Sequence, residues 1–269
     1  MKTTYAIITG AAGGLGKSFC MTCAAKGFNL ILIDVPGTNL KSLAEQLAYS
    51  YKIDVKVLHI DFCVSNSLIR IQDLIESEGL NVSLLINNAG IGLNQSFESL
   101  SFKQISDLLD VNIRATTQLS YLILPFLEQN EKSFILNVGS MAGFYALPNK
   151  SIYSGSKAFV GLFTLSLRME VAKRGVSVSL LCPGGILSNV EKYWIWKNGG
   201  QLVKWSYLHP DTVASIALER TIKGRAIIMP GFYNRLLNRL TAWIPWFLKE
   251  IIAKSKFKIS NKSMVIQNT

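Results

Sequence analysis

The stretch Thr9-Gly10-Ala11-Ala12-Gly13-Gly14-Leu15-Gly16 decides how this chain folds. It follows the uncharged apolar run Tyr5-Ala6-Ile7-Ile8 and precedes a segment, 15–26, whose apolar residues recur at helical spacing. A strand that passes into a helix through four glycines can bend sharply and let backbone N–H groups approach an anion. The start of the helix adds partial positive charge, so a pyrophosphate suits the place. Glycine-rich turns are common. The position directly between the first strand and the first helix is what separates this one from a merely structural turn.

Outward from that turn, strands are expected at 5–9, 29–33, 55–60, 83–87, 133–139, 176–182 and 226–229, each a near-continuous hydrophobic run. Such runs suit strands covered by helices on both faces, as in a parallel sheet. Between them, 15–26, 40–51, 67–78, 102–127, 152–173 and 211–222 read as amphipathic helices. The alternation predicts an α/β fold, a single doubly wound Rossmann domain with a seven-stranded parallel sheet over residues 1–231. A basic amphipathic extension, 232–269, follows it. Right-handed crossovers would bring the C-terminal ends of the strands to one edge, where ligands bind.

With 269 residues, 49% of them hydrophobic, the chain has ample material for a core, which excludes disorder over most of its length. The net charge of +11 is uneven: residues 220–269 hold ten Lys or Arg against Glu250 alone, so nine of the eleven charges lie there. Cys20, Cys23, Cys63 and Cys182 form no secreted disulfide framework. The Cys20/Cys23 pair falls inside the first helix rather than at its start, and reads as small buried apolar residues. These thiols point to a reducing, cytoplasmic compartment. No secretory signal is expected after Met1-Lys2-Thr3-Thr4, and no membrane span, since the best candidate, 236–252, is interrupted by Arg239, Pro245 and Lys249. His59 and His209 lack ligand partners nearby in sequence, so no metal site is expected.

Asp34 closes the second strand, 18 residues beyond Gly16. A carboxylate there can accept both ribose hydroxyls and repels a 2′-phosphate, and Val35-Pro36-Gly37 offers no cation to welcome one. NAD is therefore favoured over NADP, the alternative being that Asp34 merely caps a turn. Tyr153 and Lys157, four apart near the start of a helix, project from one face. An ammonium beside a phenol favours phenolate, and such a tyrosine can exchange a proton with a carbonyl or alcohol oxygen during hydride transfer. That spacing alone is common by chance. Ser140 strengthens it, because it follows a strand at the ligand edge, as does Asn87-Asn88-Ala89-Gly90, while Asn112 puts a polar amide inside a helix.

Taken in order, these elements resemble the short-chain dehydrogenase/reductase family over roughly residues 4–230. The likeness is carried by Thr9-Gly10…Gly14-Leu15-Gly16, Asp61, Asn87–Gly90, Asn112, Ser140 and Tyr153-Ser154-Gly155-Ser156-Lys157. It continues in Pro183-Gly184-Gly185-Ile186-Leu187-Ser188, with Ile for the family's Val and Ser for its Thr. The resemblance implies an NAD(P)(H)-dependent oxidoreductase interconverting a carbonyl and a secondary alcohol. Tyr153 would be the general acid/base, and Lys157 would favour its phenolate and hold the nicotinamide ribose. Ser140 would orient the carbonyl, and Asn112 would support a water-mediated proton relay. Asp61 and Phe62 would lie at the adenine, and Asn88, Ala89 and Gly90 would line the cleft with Pro183 and Gly184. Ile186 and Ser188 would touch the nicotinamide carboxamide. Homo-oligomers, dimers or tetramers, are common in the family. A looser likeness, through Gly16-Lys17-Ser18 and Ala142-Gly143…Pro148…Tyr153, is to the 3-ketoacyl and hydroxysteroid reductase branch. The competing reading is a catalytically silent dinucleotide-binding regulator, which would be expected to lack the Tyr or the Lys.

Beyond the Pro-Gly motif lie Tyr193, Trp194, Trp196, Trp205 and Tyr207. They suggest a bulky, lipid-like, acyl or steroid-like substrate touching Ser140, Tyr153, Tyr193 and Trp194, or else a packed lid or dimer contact. In 232–269, large apolar residues alternate with Arg235, Arg239, Lys249 and Lys254. That suits docking on an anionic membrane surface, peripheral on its inner face, the alternative being a helix packed on protein. Interleaving with bulky apolar side chains argues against nucleic acid.

Overall fold

The computed structural model describes residues 4–242 and Ile244. Six strands follow the expected runs: β1 (Tyr5–Thr9), β2 (Asn29–Asp34), β3 (Val55–His59), β4 (Val82–Asn87), β5 (Ser133–Val138) and β6 (Val176–Leu181). β7 (Gly185–Ile186) and β8 (Tyr207–Leu208) form a small separate pair, and β9 (Ile227–Ile228) completes the main sheet. That sheet has seven strands in the order β3-β2-β1-β4-β5-β6-β9, all paired in parallel. The order reverses direction between β1 and β4, which makes a crevice at their C-terminal ends, where Gly10 and Asn88 lie.

The helices are α1 (Gly14–Ala25), α2 (Leu40–Tyr51), α3 (Ile69–Ser77), α4 (Phe102–Leu109), α5 (Thr116–Leu127), α6 (Ser151–Glu170), α7 (Val190–Asn198), α8 (Gln201–Ser206), α9 (Pro210–Ile222) and α10 (Phe232–Ala242). Strand residues alternate between two cores. Ala6 and Ile8 of β1 pack with Phe19 of α1, Leu40 of α2 and Val213 of α9. Tyr5 and Ile7 pack with Ile71 of α3 and Ile123 of α5. Both faces are thus buried, which is why the strands read as continuous apolar runs; each fully buried Ile or Leu contributes about 1.5–3 kcal/mol. Cys20 and Cys23 are fully buried in the first core, where desolvation pushes both thiols up, so they are packing residues. No helix among the described residues is long and apolar enough to cross a membrane.

Three differences from the sequence expectation matter for function. The helix expected over 102–127 is divided: α4, started by a Ser101/Gln104 capping box, runs into a π-helical turn at Asp110–Ala115 before α5. The wider turn carries Asn112, and such turns cluster at functional sites. The region 190–206 is helical, although its aromatic residues have no one-sided period. Finally, the extension begins as α10, which lies against α8 and the turn at Met141–Phe144. The rest of 232–269, including Phe247, Leu248, Ile251 and Ile252, falls outside the described residues.

Candidate active site

Three glycines shape the first turn in different ways. Gly10 has φ +64°, and a Cβ there would come within 3.0 Å of the Asn88 amide and the Ala89 backbone. A Cβ on Gly16 would collide with the Gly10 carbonyl, and one on Gly14 would lie 2.7 Å from the Ser188 carbonyl. Asn88 clamps the turn by donating from Nδ2 to the carbonyls of Thr9 (2.9 Å) and Gly10 (3.1 Å). Thr9 Oγ1 in turn accepts the N–H groups of Asn88 and Ala89, both at 3.0 Å. Thr9 therefore acts by fixing the loop, whereas Gly10, Gly14, Leu15, Gly16, Asn88, Ala89 and Gly90 line a cleft of about 560 Å³. A helix leaves its first N–H groups without intrahelical acceptors, and α1 has no acidic side chain in its first turn to compete for an anion.

Asp34 lines the same cleft. Its oxygens accept the N–H groups of Ala12 (2.7 Å) and Val35 (2.8 Å), so it both anchors the glycine turn and keeps lone pairs for ribose hydroxyls. Asp61 accepts the Cys63 N–H at 2.8 Å, and Phe62 is buried, its carbonyl taken by Arg114 at 2.8 Å. Asp61, Phe62, Ile186 and Ser188 all face the cleft, together with two residues that sequence reasoning missed, Cys63 and Asp107. Burial first, then the neighbouring carboxylates Asp61 and Asp107, push the Cys63 thiol up to about 11. Among the lining residues are three aspartates and neither Lys nor Arg. Backbone cradle, helix terminus and anchored carboxylate together fit a dinucleotide, and the cleft volume lies within the range of about 300–1,000 Å³ typical of small-molecule sites.

The reacting groups gather beyond β5. Ser140 follows that strand and accepts the Ala142 N–H at 3.1 Å, which holds Oγ in place and leaves its proton for a ligand. The next turn packs on α6 so closely that a Cβ on Gly143 would lie 2.9 Å from the Lys157 backbone. α6 presents Tyr153 and Lys157 one turn apart, with Tyr153 partly exposed and its ring 4.0 Å from where a Gly92 Cβ would be. Lys157 is buried, and its Nζ donates to the Val138 carbonyl at 2.8 Å. Desolvation lowers it to about 8. The Cys182 thiol beside it is pushed up to about 12 by its own burial, so at neutral pH it is uncharged and offers no counter-ion. Asn112 is buried: Oδ1 accepts the Ile91 N–H (2.8 Å), while Nδ2 donates to the Ile91 carbonyl and to Ser156 Oγ, both 3.0 Å. A Cβ on Gly90 would lie 3.3 Å from both Asn112 Oδ1 and Lys157 Nζ, so a side chain there would press on both. Ser156, inside the Tyr153–Lys157 motif, and the Val138 carbonyl are further positioning groups that spacing alone does not reveal.

Pro183 and Gly184 leave β6 under tight constraint. The Pro183 carbonyl accepts the Met141 N–H at 3.0 Å, and a Cβ on Gly184 would lie 2.6 Å from the Asn234 amide. β7 and β8 pair directly, so 190–206, called the lid below, is an excursion that departs near the cleft beyond Ser188 and returns at Tyr207. Lys150, three residues before Tyr153, is lowered by burial and then by the Lys192 ammonium of α7. Tyr193 and Trp194 lie on α7 and are exposed; neither is part of the dinucleotide cleft wall.

The family model described as short chain dehydrogenase matches residues 4–198. A very-long-chain 3-oxoacyl-CoA reductase of Phaeosphaeria nodorum is 36% identical over 266 residues, 94% of this chain and 73% of that protein. One from Pyrenophora tritici-repentis is 36% identical over 183 residues, covering 66% of this chain and 53% of its own length, so the match to such relatives ranges from about half of their length upward. Among solved structures, a short-chain dehydrogenase from Sphingobium yanoikuyae in complex with NADPH superposes with a TM-score of 0.74 at 24% identity, over 90% of this chain and 97% of that one. The fold and the glycine cradle agree with these matches in one conclusion: this chain belongs to the short-chain dehydrogenase family.

Proposed function

We propose that the protein reduces a carbonyl to a secondary alcohol, or runs the reverse, on a bulky apolar substrate of 3-oxoacyl or comparable lipid-like character. A bound nicotinamide supplies or accepts the hydride. Tyr153 Oη gives the proton to the carbonyl oxygen in reduction and takes it back in oxidation. Ser140 Oγ holds that oxygen by its free O–H. Lys157, fixed by the Val138 carbonyl, stands one helical turn behind Tyr153 to bind the nicotinamide ribose. Asn112, held by Ile91 and Ser156, supports a water-mediated proton relay to Lys157. The observation that carries this reading is a buried, dehydrated lysine beside a partly exposed tyrosine at the sheet's ligand edge.

NAD is the expected dinucleotide, because Asp34 and a cleft wall without Lys or Arg disfavour a 2′-phosphate; the NADPH of the Sphingobium relative argues the other way. The bulky substrate is supported by the aromatic lid and by the names of the relatives. Assembly into dimers or tetramers is supported by exposed apolar residues on α5 and α6, Tyr121, Leu162 and Met169. Residues 232–269 are read as the part that meets an anionic membrane, at its inner face in the cytoplasm. A panel of short and long ketones assayed with NADH and NADPH tests the core of the proposal. Tyr153→Phe should lower kcat by about 10²–10⁴ while dinucleotide binding persists. Turnover undiminished by that change, or no turnover in the native chain, would overturn it.

A further inference from the structure

α10 turns polar side chains inward and leaves part of its apolar surface outward. Its inward face holds Asn234, only 2% exposed, which donates to the Ser206 (3.2 Å) and Pro230 (3.1 Å) carbonyls, and Thr241, whose hydroxyl meets Tyr145 Oη at 2.9 Å. Its outward stripe, at i, i+4 and i+8, is Phe232, Leu236 and Leu240, exposed to 74%, 40% and 60%. A helix buries its apolar stripe when only its own domain is available. Tyr233 and Leu237 are half-buried, but the Phe232, Leu236 and Leu240 stripe stays open and suits another apolar medium on the outer side.

The lid has the same character. α7 and α8 bury no residue, and Val190, Leu202 and Trp205 are exposed. α8 and α10 touch, with the Trp205 and Tyr233 rings 6.0 Å apart, so lid and α10 adjoin one another. Lys197, Lys204 and Arg239 stand exposed on these three helices. In sequence the basic excess continues through Lys249, Lys254, Lys256, Lys258 and Lys262, against Glu250. A second copy meeting this face symmetrically would set cation against cation. An anionic lipid surface supplies both the apolar layer and the complementary charge.

We propose that the lid helices and the outward stripe of α10 form one face that docks on an anionic lipid surface, delivering substrate to Ser140 and Tyr153 from the bilayer. The docking extends to the lid the membrane reading of 232–269 given above, and the delivery rests on the bulky apolar substrate proposed there. α10 also reaches the catalytic turn, since Tyr145, bonded to Thr241, ends the segment that Ser140 begins.

The test is co-sedimentation of the full chain with phosphatidylcholine vesicles, with and without phosphatidylserine. Binding should require phosphatidylserine and weaken with salt. The charge reversal Lys204→Glu/Arg239→Glu should lower partitioning by about tenfold or more. Phe232→Ser/Leu236→Ser/Leu240→Ser should do likewise, and so should Val190→Ser/Leu202→Ser in the lid. All should keep turnover of a short, water-soluble ketone, which also reports that they fold. Should the lid variant bind vesicles as the native chain does, or the native chain ignore phosphatidylserine, the proposal fails. It fails also if the α10 variant changes only the oligomeric state, since the face would then join copies of the chain. Absence of any ketone turnover would sink the hydride reading and leave the vesicle result standing.

Discussion

The glycine turn packs against Ser188, two residues before the lid begins, yet turn and lid are made on opposite rules. On the turn's side the shape is set by main chain: a positive φ at Gly10, clamped carbonyls, and helix N–H groups left open. The ligand expected there is the same in every turnover, and the backbone that fits it admits few alternatives. Across the contact, α7 and α8 bury no side chain and present Trp194, Trp205 and Tyr193. A fixed ligand is matched by geometry that glycine alone permits. A variable, greasy one is matched by apolar bulk at no fixed spacing.

The largest effect should therefore come from a single methyl on the turn's side. Gly16→Ala forces its Cβ into the Gly10 carbonyl, so α1 must shift or the turn must open. Overpacking of this kind costs about 1–3 kcal/mol, and roughly 2–4 °C of Tm per kcal/mol at this chain length. Dinucleotide affinity should fall with it, since the same N–H groups are displaced. Gly200→Ala in the lid has φ −66° and open space around it, and should change neither quantity. Thermal melts and dinucleotide titration of the two variants compare the regions directly. Equal penalties would dissolve the contrast.

A smaller effect is expected at Asp34, where side-chain charge rather than backbone shape selects the ligand. Asp34→Ser removes the carboxylate from a cleft wall that has no cation. The ratio of kcat/KM for NADPH over NADH should rise about ten- to a hundredfold as like-charge repulsion is relieved. The serine hydroxyl can still accept the Ala12 N–H, so the turn should hold. An unchanged ratio would show that Asp34 serves only to anchor Ala12.

These differences also explain how far the chain could be read before it was seen folded. The strands were legible because both sheet faces are buried, and Ala6/Ile8 and Tyr5/Ile7 are apolar on opposite sides. The turn was legible because its glycines have no substitutes. Asn112 was visible as a polar residue in a helix, but the π turn that aims it was not, since no residue type marks where a helix widens by one residue. Asp107 and Cys63 gave no signal: they reach the cleft from separate elements that only the fold brings together. α10 was recognised as amphipathic, but periodicity cannot say which face is turned inward.

Lys157 gives a prediction of moderate size, with opposite signs for activity and stability. Burial lowers it from 10.5 to about 8, and neutral Cys182 does not restore it. Above pH 8 it sheds the proton that its ribose role needs, so kcat/KM should fall about tenfold per pH unit. Stability should move the other way. Between pH 8 and 10.5 the unfolded lysine keeps a proton that the folded one has lost, so unfolding free energy rises with pH across that window. Below about 8 the full cost of burying the charge is present. Parallel denaturant titrations and initial rates from pH 7 to about 10 test both signs; a stability falling through that range would place Lys157 in a wetter setting.

The smallest effect belongs to the lid, and it is the one that decides whether the lid meets substrate at all. Tyr193 packs against Trp196 with rings 5.5 Å apart, so changing either would loosen the helix itself. Trp194 is 54% exposed, which makes Trp194→Ala the cleaner variant. Losing half an indole's apolar contact is worth about 1 kcal/mol, a rise in KM of roughly fivefold for a long-chain ketone. A short ketone that never reaches α7 should keep its KM. If both substrates weaken together, Trp194 holds the lid rather than the ligand, and apolar bulk at this face answers to the lipid surface alone.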